Sequence, residues 1–322
     1  MTDFHILVPD AVDGAAIDVL NAAGGFRVSY TGNNLKREET LAAIVDADAI
    51  IIRSSTKANA ELLAAATQLK AIARAGVGVD NVDVAFATER KIAVMNTPAG
   101  NTIATAEHAF GLMLALARHI PQAHITLRDG KWDRKSFMGT ELRGKTLGVV
   151  GFGRIGKALA VRALAFEMKV IAFDPFVDAD KMSAVGVGKA TLDELYAASD
   201  FISLHSVITD ETREMINAES IAKMKAGVRI INAARGALIH EADLAAALNS
   251  GHVAGAALDV FTNEPPEEGN PLIAHPKIVH TPHLAASTNE AQVAVAVEAA
   301  ELIVAALKHG QYSNVVNPSV IA

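Results

Sequence analysis

Three glycines, Gly151, Gly153 and Gly156, stand with the spacing G-x-G-x-x-G in the stretch GVVGFGRIGKALA, residues 148–160. An apolar, strand-like run precedes them and a helix-forming run follows. Glycines so placed permit a tight turn, close approach of the backbone to a pyrophosphate, and close packing of helix on strand. The helix N-terminus then offers free N–H groups to the phosphates. Asp174 ends the run VIAFD, 23 residues past Gly151, and a ribose-binding acid is expected about 20 residues on. Asp174 also suits capping of a turn at Pro175. With the glycines, the reading is a dinucleotide site. An acid repels a 2′-phosphate, and no Arg or Lys follows Asp174 before Lys181, so the expected cofactor is NAD rather than NADP.

In open parallel sheets, ligands bind beyond the C-terminal ends of strands. Arg53 closes AIIIR and Arg74 closes LKAIAR; Arg235 follows RIINAA, Glu264 lies just after AALDVF, and His283 follows KIVHTP. Arginine there can grip a carboxylate or phosphate through two parallel hydrogen bonds. Histidine can exchange a proton near neutral pH. Isolated residues of these types are more often structural, and His108, His119, His124, His252, His275 and His309 are read that way. His280 is expected to point away from His283, and His205, ending FISLH, to lie near the cofactor. What separates Arg235, Glu264 and His283 is their joint position after strands of the glycine-motif unit.

The elements that must position these groups alternate along the whole chain. HILV, AIIIRS, LKAIARAG and IAVMNT read as strands between helical runs such as GAAIDVLNAAGG, NAELLAAA and VDVAFATER. This predicts a parallel sheet covered on both faces, without a glycine fingerprint of its own. TIATAEHAFGLMLALAR reads as a buried helix, and the segment after it, to Lys145, as polar and irregular. Alternation then resumes to about residue 279. A last long helix follows, with Ser287 and Glu290 as its capping box and Gly310 as its stop.

The composition of the 322 residues, 51% hydrophobic and 20% charged, is that of globular material large enough for two domains. A net charge of -7 argues against general nucleic-acid binding. With no cysteine, disulfides, thiolate nucleophiles and cysteine-held metals are excluded. The N-terminus carries no signal-peptide pattern, and AFGLMLALA, at nine residues, falls short of the roughly 20 that span a membrane. A cytoplasmic protein is expected, with no membrane partner.

INAARGALI, ALDVFTNEPP and HTPHLAAST resemble the three signature blocks of the D-isomer-specific 2-hydroxyacid dehydrogenases. RSSTKANAELL, ARAGVGVDNVD, MNTPAGNTIATAEH and GKWDRKSFMGTELRGKTLGVVGFGRIG are similar to the branch of that family that oxidises 3-phospho-D-glycerate in serine biosynthesis. The resemblance covers nearly the whole chain. It implies two doubly wound α/β domains, with a Rossmann cofactor domain at 100–285 inserted into a flavodoxin-like substrate domain formed by 1–99 and 286–322. It implies a dimerisation arm at 119–143 and a homodimer in which a basic residue of the arm, Arg134 or Lys135, reaches the neighbouring site. Arg235 would orient the substrate, His283 would exchange the proton, and Glu264 would fix the imidazole, with no metal required. Arg154 and Ile155 would lie by the pyrophosphate, and Ser206, Ala233 and Asp259 near the nicotinamide. Asn101 would approach the substrate carboxylate, and Arg53, Ser54, Arg74 and Gly76 would bind the remainder of the substrate. Two departures stand out: His240 in ALIHEADL, where the family often has Asp, and Val77, where some members carry threonine. The resemblance also implies that a serine-sensing C-terminal domain, common among relatives, is missing here. Two other readings stay open: a reductase of glyoxylate or hydroxypyruvate, and a non-catalytic NAD-sensing protein. The sensor reading is disfavoured because sensing NADH needs no proton relay.

Overall fold

The computed structural model describes residues 3–321. They fall into two compact units, one of residues up to Asn101 together with those from Ser287 onward, the other Thr102–Ala286.

The first unit holds a five-stranded parallel sheet: β1 (Phe4–Val8), β2 (Phe26–Tyr30), β3 (Ala49–Ile52), β4 (Ala71–Arg74) and β5 (Ala93–Asn96), in the order β2-β1-β3-β4-β5. That is the flavodoxin order, and it reverses direction between β1 and β3. Ile6, Leu7, Val8 and Ile50–Ile52 are buried on both faces, as a sheet covered on two sides requires. β2 lies at the edge, only partly buried, and its mixed run FRVSY escapes the sequence reading. The long helix Asn289–His309 returns to cover this sheet, packing against helix Ala15–Ala23. Its buried residues Ala291, Val295, Ala299 and Ile303 recur every four positions, and the alanines let backbones approach closely. The cap differs from the expected one. Thr288, not Ser287, is the N-cap, and its side chain accepts from the Ala291 N–H at 3.1 Å. The chain past this helix is tied to β5. Asn317 accepts from the Val94 N–H at 2.8 Å and donates to the Ile92 carbonyl at 2.9 Å.

The second unit holds a seven-stranded parallel sheet: β6 (Thr146–Val150), β7 (Lys169–Phe173), β8 (Gly188–Lys189), β9 (Phe201–Leu204), β10 (Val228–Asn232), β11 (Val253–Leu258) and β12 (Ile278–His280). Its order is β12-β11-β10-β9-β6-β7-β8. This is the Rossmann arrangement, with its switch between β6 and β9. The helix Thr102–Arg118 buries Ala106, Ala109, Phe110, Met113 and Leu116 against this unit, as its composition predicts. The segment expected to be irregular is not wholly so: Ile120–Arg128 form a helix, with Pro121 in its first turn, where a missing N–H costs nothing. His119, at φ +54°, breaks it from the preceding helix. Among the described residues, no helix is long and apolar enough to cross a membrane.

Candidate active site

At the switch point of the second unit, the glycine turn links β6 to the helix Arg154–Ala165. Gly151 has φ +91°, and a Cβ there would lie 2.7 Å from the His205 carbonyl carbon at the end of β9. A Cβ on Gly156 would meet the Gly151 carbonyl oxygen at 2.1 Å. These two positions exclude side chains because backbone already fills the space. Gly153 is the opposite case. It is the helix N-cap, exposed, with no side-chain cap and nothing near the place of a Cβ. The helix N-terminus is thus left without a side-chain cap at an exposed residue, which fits a pyrophosphate. Arg154 is exposed, and Ile155 packs partly into the core.

Asp174 follows β7 and performs the turn-capping role. Its carboxylate accepts from the Phe152 N–H at 2.8 Å, inside the glycine turn, and from the Phe176 N–H at 2.9 Å. Each oxygen keeps a lone pair for a ribose hydroxyl. Ser206 is half-buried just past β9, and Ala233 is buried past β10.

Arg235, Glu264 and His283 follow β10, β11 and β12, three neighbouring strands. Asn232, fully buried, shapes the first of these loops, accepting from the Ala234 N–H at 3.0 Å and donating to the Arg235 carbonyl at 2.8 Å. Gly236 then brings the loop against the chain leading to Glu264, for a Cβ there would lie 1.9 Å from the Phe261 carbonyl carbon. Glu264 Oε1 accepts from the Phe261 N–H at 3.2 Å, and its Oε2 lies 2.6 Å from His283 Nδ1. That short contact raises the His283 pKa above the ordinary histidine value, against burial and the repulsion of Arg235. Burial pushes the Glu264 carboxyl up, but the His283 bond and charge, the Phe261 N–H and Arg235 outweigh it and hold it low. With Nδ1 so engaged, the His283 Nε2 is the ring atom left for chemistry. Asp259 is fully buried behind this loop, where the Thr281 hydroxyl and the Leu284 and Ala285 N–H groups bond to its carboxylate. His280 instead contacts the Ile273 carbonyl at 2.9 Å. His240 sits 3.0 Å from Asp243 at the start of the helix Glu241–Ser250.

In the first unit, Arg53 lies just beyond β3, beside the β1/β3 switch, and Arg74 ends β4. Asp10, 1% exposed, holds the Arg53 loop: it accepts from the Arg53 N–H at 2.5 Å and the Thr56 hydroxyl at 2.6 Å. Asn81 donates to the Arg53 and Thr56 carbonyls. The Arg53 guanidinium donates to the Ala11 carbonyl at 3.0 Å, and Ser54 is exposed. The Gly76 N–H donates to the buried Thr97 hydroxyl at 2.6 Å, beside the Arg74 guanidinium. Asn101 is buried, and its Oδ1 has no hydrogen-bond partner among the described residues. Arg134 is exposed, above a turn in which Asp133 accepts from the Lys135 and Ser136 N–H groups. Asp10, Asn81, Gly236 and the partners of Asp259 were not singled out from sequence. The run HILVPD, which puts an acid at a strand end, was the one available signal.

Fold and site define a dinucleotide-binding α/β protein that carries an acid–base pair at its strand ends. Residues 110–285 match the family of D-isomer specific 2-hydroxyacid dehydrogenases, NAD binding domain. The chain is 48% identical over 316 residues to a D-3-phosphoglycerate dehydrogenase of Archaeoglobus fulgidus, covering 98% of this chain and 60% of that one. It is 51% identical over 254 residues to the Bacillus subtilis protein of the same name, 79% of this chain and 48% of that one. A crystal structure of a glyoxylate reductase from Paecilomyes thermophila superposes with a TM-score of 0.87 at 32% identity, covering 99% of this chain and 100% of that one. The chain therefore belongs to the D-isomer specific 2-hydroxyacid dehydrogenase family and contains its NAD-binding domain. It spans about half to three-fifths of the length of these two curated relatives.

Proposed function

We propose that the protein is a cytoplasmic NAD-dependent dehydrogenase of D-2-hydroxy acids, with 3-phospho-D-glycerate and 3-phosphohydroxypyruvate as its substrate pair. The observation that carries this reading is the 2.6 Å His283–Glu264 contact, on loops that follow strands adjacent to the one before Arg235, in a unit that binds NAD. Oxidation of a 2-hydroxy acid removes a hydride from C2 and a proton from the hydroxyl. When bound, the nicotinamide supplies the hydride acceptor at its C4. His283 Nε2 takes the hydroxyl proton, and returns it in the reverse direction. Glu264 keeps the ring oriented and stabilises the imidazolium. Arg235 binds the substrate carboxylate and draws electron density from the C2 oxygen. The glycine turn and the N–H groups after Gly153 hold the pyrophosphate, and Asp174 the ribose.

Two cations of the first unit, Arg53 and Arg74, favour a substrate with a second anion, and the names of the relatives point the same way. Asn101 belongs to the same substrate-holding set, since its amide can turn either end toward a ligand. The exposed Ile120, Ile125, Leu127, Trp132 and Met138 support a homodimer made through residues 119–143, with Arg134 reaching the partner's substrate. Sedimentation at micromolar concentration tests that assembly. The reaction is tested by NADH absorbance with phosphohydroxypyruvate, hydroxypyruvate and glyoxylate. Turnover fastest with the phosphorylated acid is expected. A preference for glyoxylate would replace the substrate, and no turnover of any 2-oxo acid would refute the enzyme.

A further inference from the structure

Most hydrogen bonds that hold the turn presenting His283 converge on Asp259. The Asp259 carbonyl accepts from the His283 N–H at 2.8 Å. One carboxylate oxygen, Oδ1, accepts from the Thr281 hydroxyl at 2.5 Å and the Leu284 N–H at 2.8 Å, and Oδ2 accepts from the Ala285 N–H at 2.8 Å. His283 itself lies at φ +54°, in the left-handed region that non-glycine residues adopt uncommonly. On the other side of this network stands His108, from the helix Thr102–Arg118. Its Nε2 is 3.0 Å from Thr281 Oγ1 and 3.2 Å from Asp259 Oδ1.

The protons can be assigned by counting. Burial pushes the Asp259 carboxyl up, but its bonds from His108, Thr281, Leu284 and Ala285 hold it below the usual range, so it is an acceptor. Thr281 has one hydroxyl proton, and the short contact places it on Asp259. Thr281 Oγ1 can then only accept from His108, so His108 Nε2 carries a hydrogen. We propose that His108 is a positioning residue for His283. Its Nε2–H, acting on Thr281 and Asp259, fixes the 281–285 turn so that His283 Nδ1 meets Glu264 and Nε2 is left for the substrate. This rests on the reading of His283 as the proton-transfer group.

The test is the titration of the His283 imidazole, followed by NMR in the cofactor-free protein, alongside turnover. The charged groups facing His283 are Glu264, Arg235 and Asp259, with His108 behind Asp259. Removing His108 as a mere positive charge would raise the His283 midpoint. Losing the turn weakens the Glu264 bond and lowers it, so the direction separates the two roles. His108→Phe keeps an aromatic ring and removes the donor. It is expected to lower the proton affinity of His283 roughly three- to tenfold and to lower kcat by roughly tenfold through misplacement. His108→Gln, which restores an N–H at similar reach, should recover most of both. Thr281→Val, nearly isosteric, should act like His108→Phe and serves if the latter fails to fold. An unchanged or raised midpoint in a folded His108→Phe or Thr281→Val protein overturns the proposal. A lowered midpoint in a protein that reduces no 2-oxo acid would uphold the turn assignment while refuting the dehydrogenase reading.

Discussion

Two side chains 2.6 Å apart set the pH behaviour of the proposed reaction. Reduction of a 2-oxo acid needs His283 protonated, so its rate falls as pH rises through the His283 pKa. Oxidation needs the neutral ring, so its rate rises through the same value. Glu264 raises that pKa, chiefly through its hydrogen bond to Nδ1. Glu264→Gln removes the anion and disfavours the imidazolium. Both limbs should therefore move to lower pH: reduction fades earlier as pH rises, and oxidation becomes active at a more acidic pH. Profiles of kcat/KM in the two directions measure this, and limbs that stay in place would mean Glu264 does not couple to the ring. His283→Ala is the sharper cut. It should lower kcat by about 10²–10⁴-fold, the usual worth of a general acid–base group. NADH affinity, measured by fluorescence titration, should change little, since the glycine turn lies after other strands.

The glycine turn is an element whose geometry tolerates no added atom at Gly156. Gly156→Ala would press a Cβ against the Gly151 carbonyl oxygen. Overpacking costs about 1–3 kcal/mol, so a lower melting temperature is expected, and NADH binding weaker by up to about 10²-fold where that cost falls on the bound state; calorimetry reads both. If Asp174 beside it holds the ribose as proposed, kcat/KM should be clearly higher with NAD than with NADP. This turn was legible in the sequence because strand, glycines, helix and acid all lie within one short stretch. So were the strand ends that carry Arg53, Arg74, Arg235 and His283. The groups that escaped act across distance in the chain: Asp10 holds Thr56 from 46 residues away, and His108 meets Thr281 across 173. Hydrophobic periodicity carries no trace of such pairs. The helix Ile120–Arg128 was missed because Pro121 and the polar Gln122, His124 and Thr126 mask a short stripe of Ile120, Ala123 and Leu127, which this unit leaves unburied. The one-residue shift from Ser287 to Thr288 arose because adjacent hydroxyl residues make equivalent caps on paper; only backbone direction, extended at Thr288, decides.

At the scale of the whole molecule, the two units divide the work. The second carries the cofactor turn and the proton pair, and the first carries two arginines at strand ends. In the proposed reaction Arg235 takes the substrate carboxylate, and Arg53 and Arg74 are assigned to a second anion, which glyoxylate lacks. Asp83 is engaged elsewhere, capping the helix Val84–Glu89 through the Phe86 N–H, and the Arg53 guanidinium donates to the Ala11 carbonyl. Hydrogen bonds to a charged group contribute about 1.5–3 kcal/mol each. Replacing Arg53 and Arg74 together by Ala should thus cost roughly 3–6 kcal/mol, or about 10²–10⁴ in kcat/KM, for phosphohydroxypyruvate. Hydroxypyruvate lacks the phosphate and should lose far less. NADH affinity should hold, because the cofactor turn belongs to the other unit. The ratio of the two losses is the deciding measurement. If the arginines merely brace the fold of the first unit, both substrates suffer alike. Equal losses, or a wild-type preference for the unphosphorylated acid, would shift the assignment to a hydroxypyruvate or glyoxylate reductase while leaving the His283–Glu264 chemistry intact.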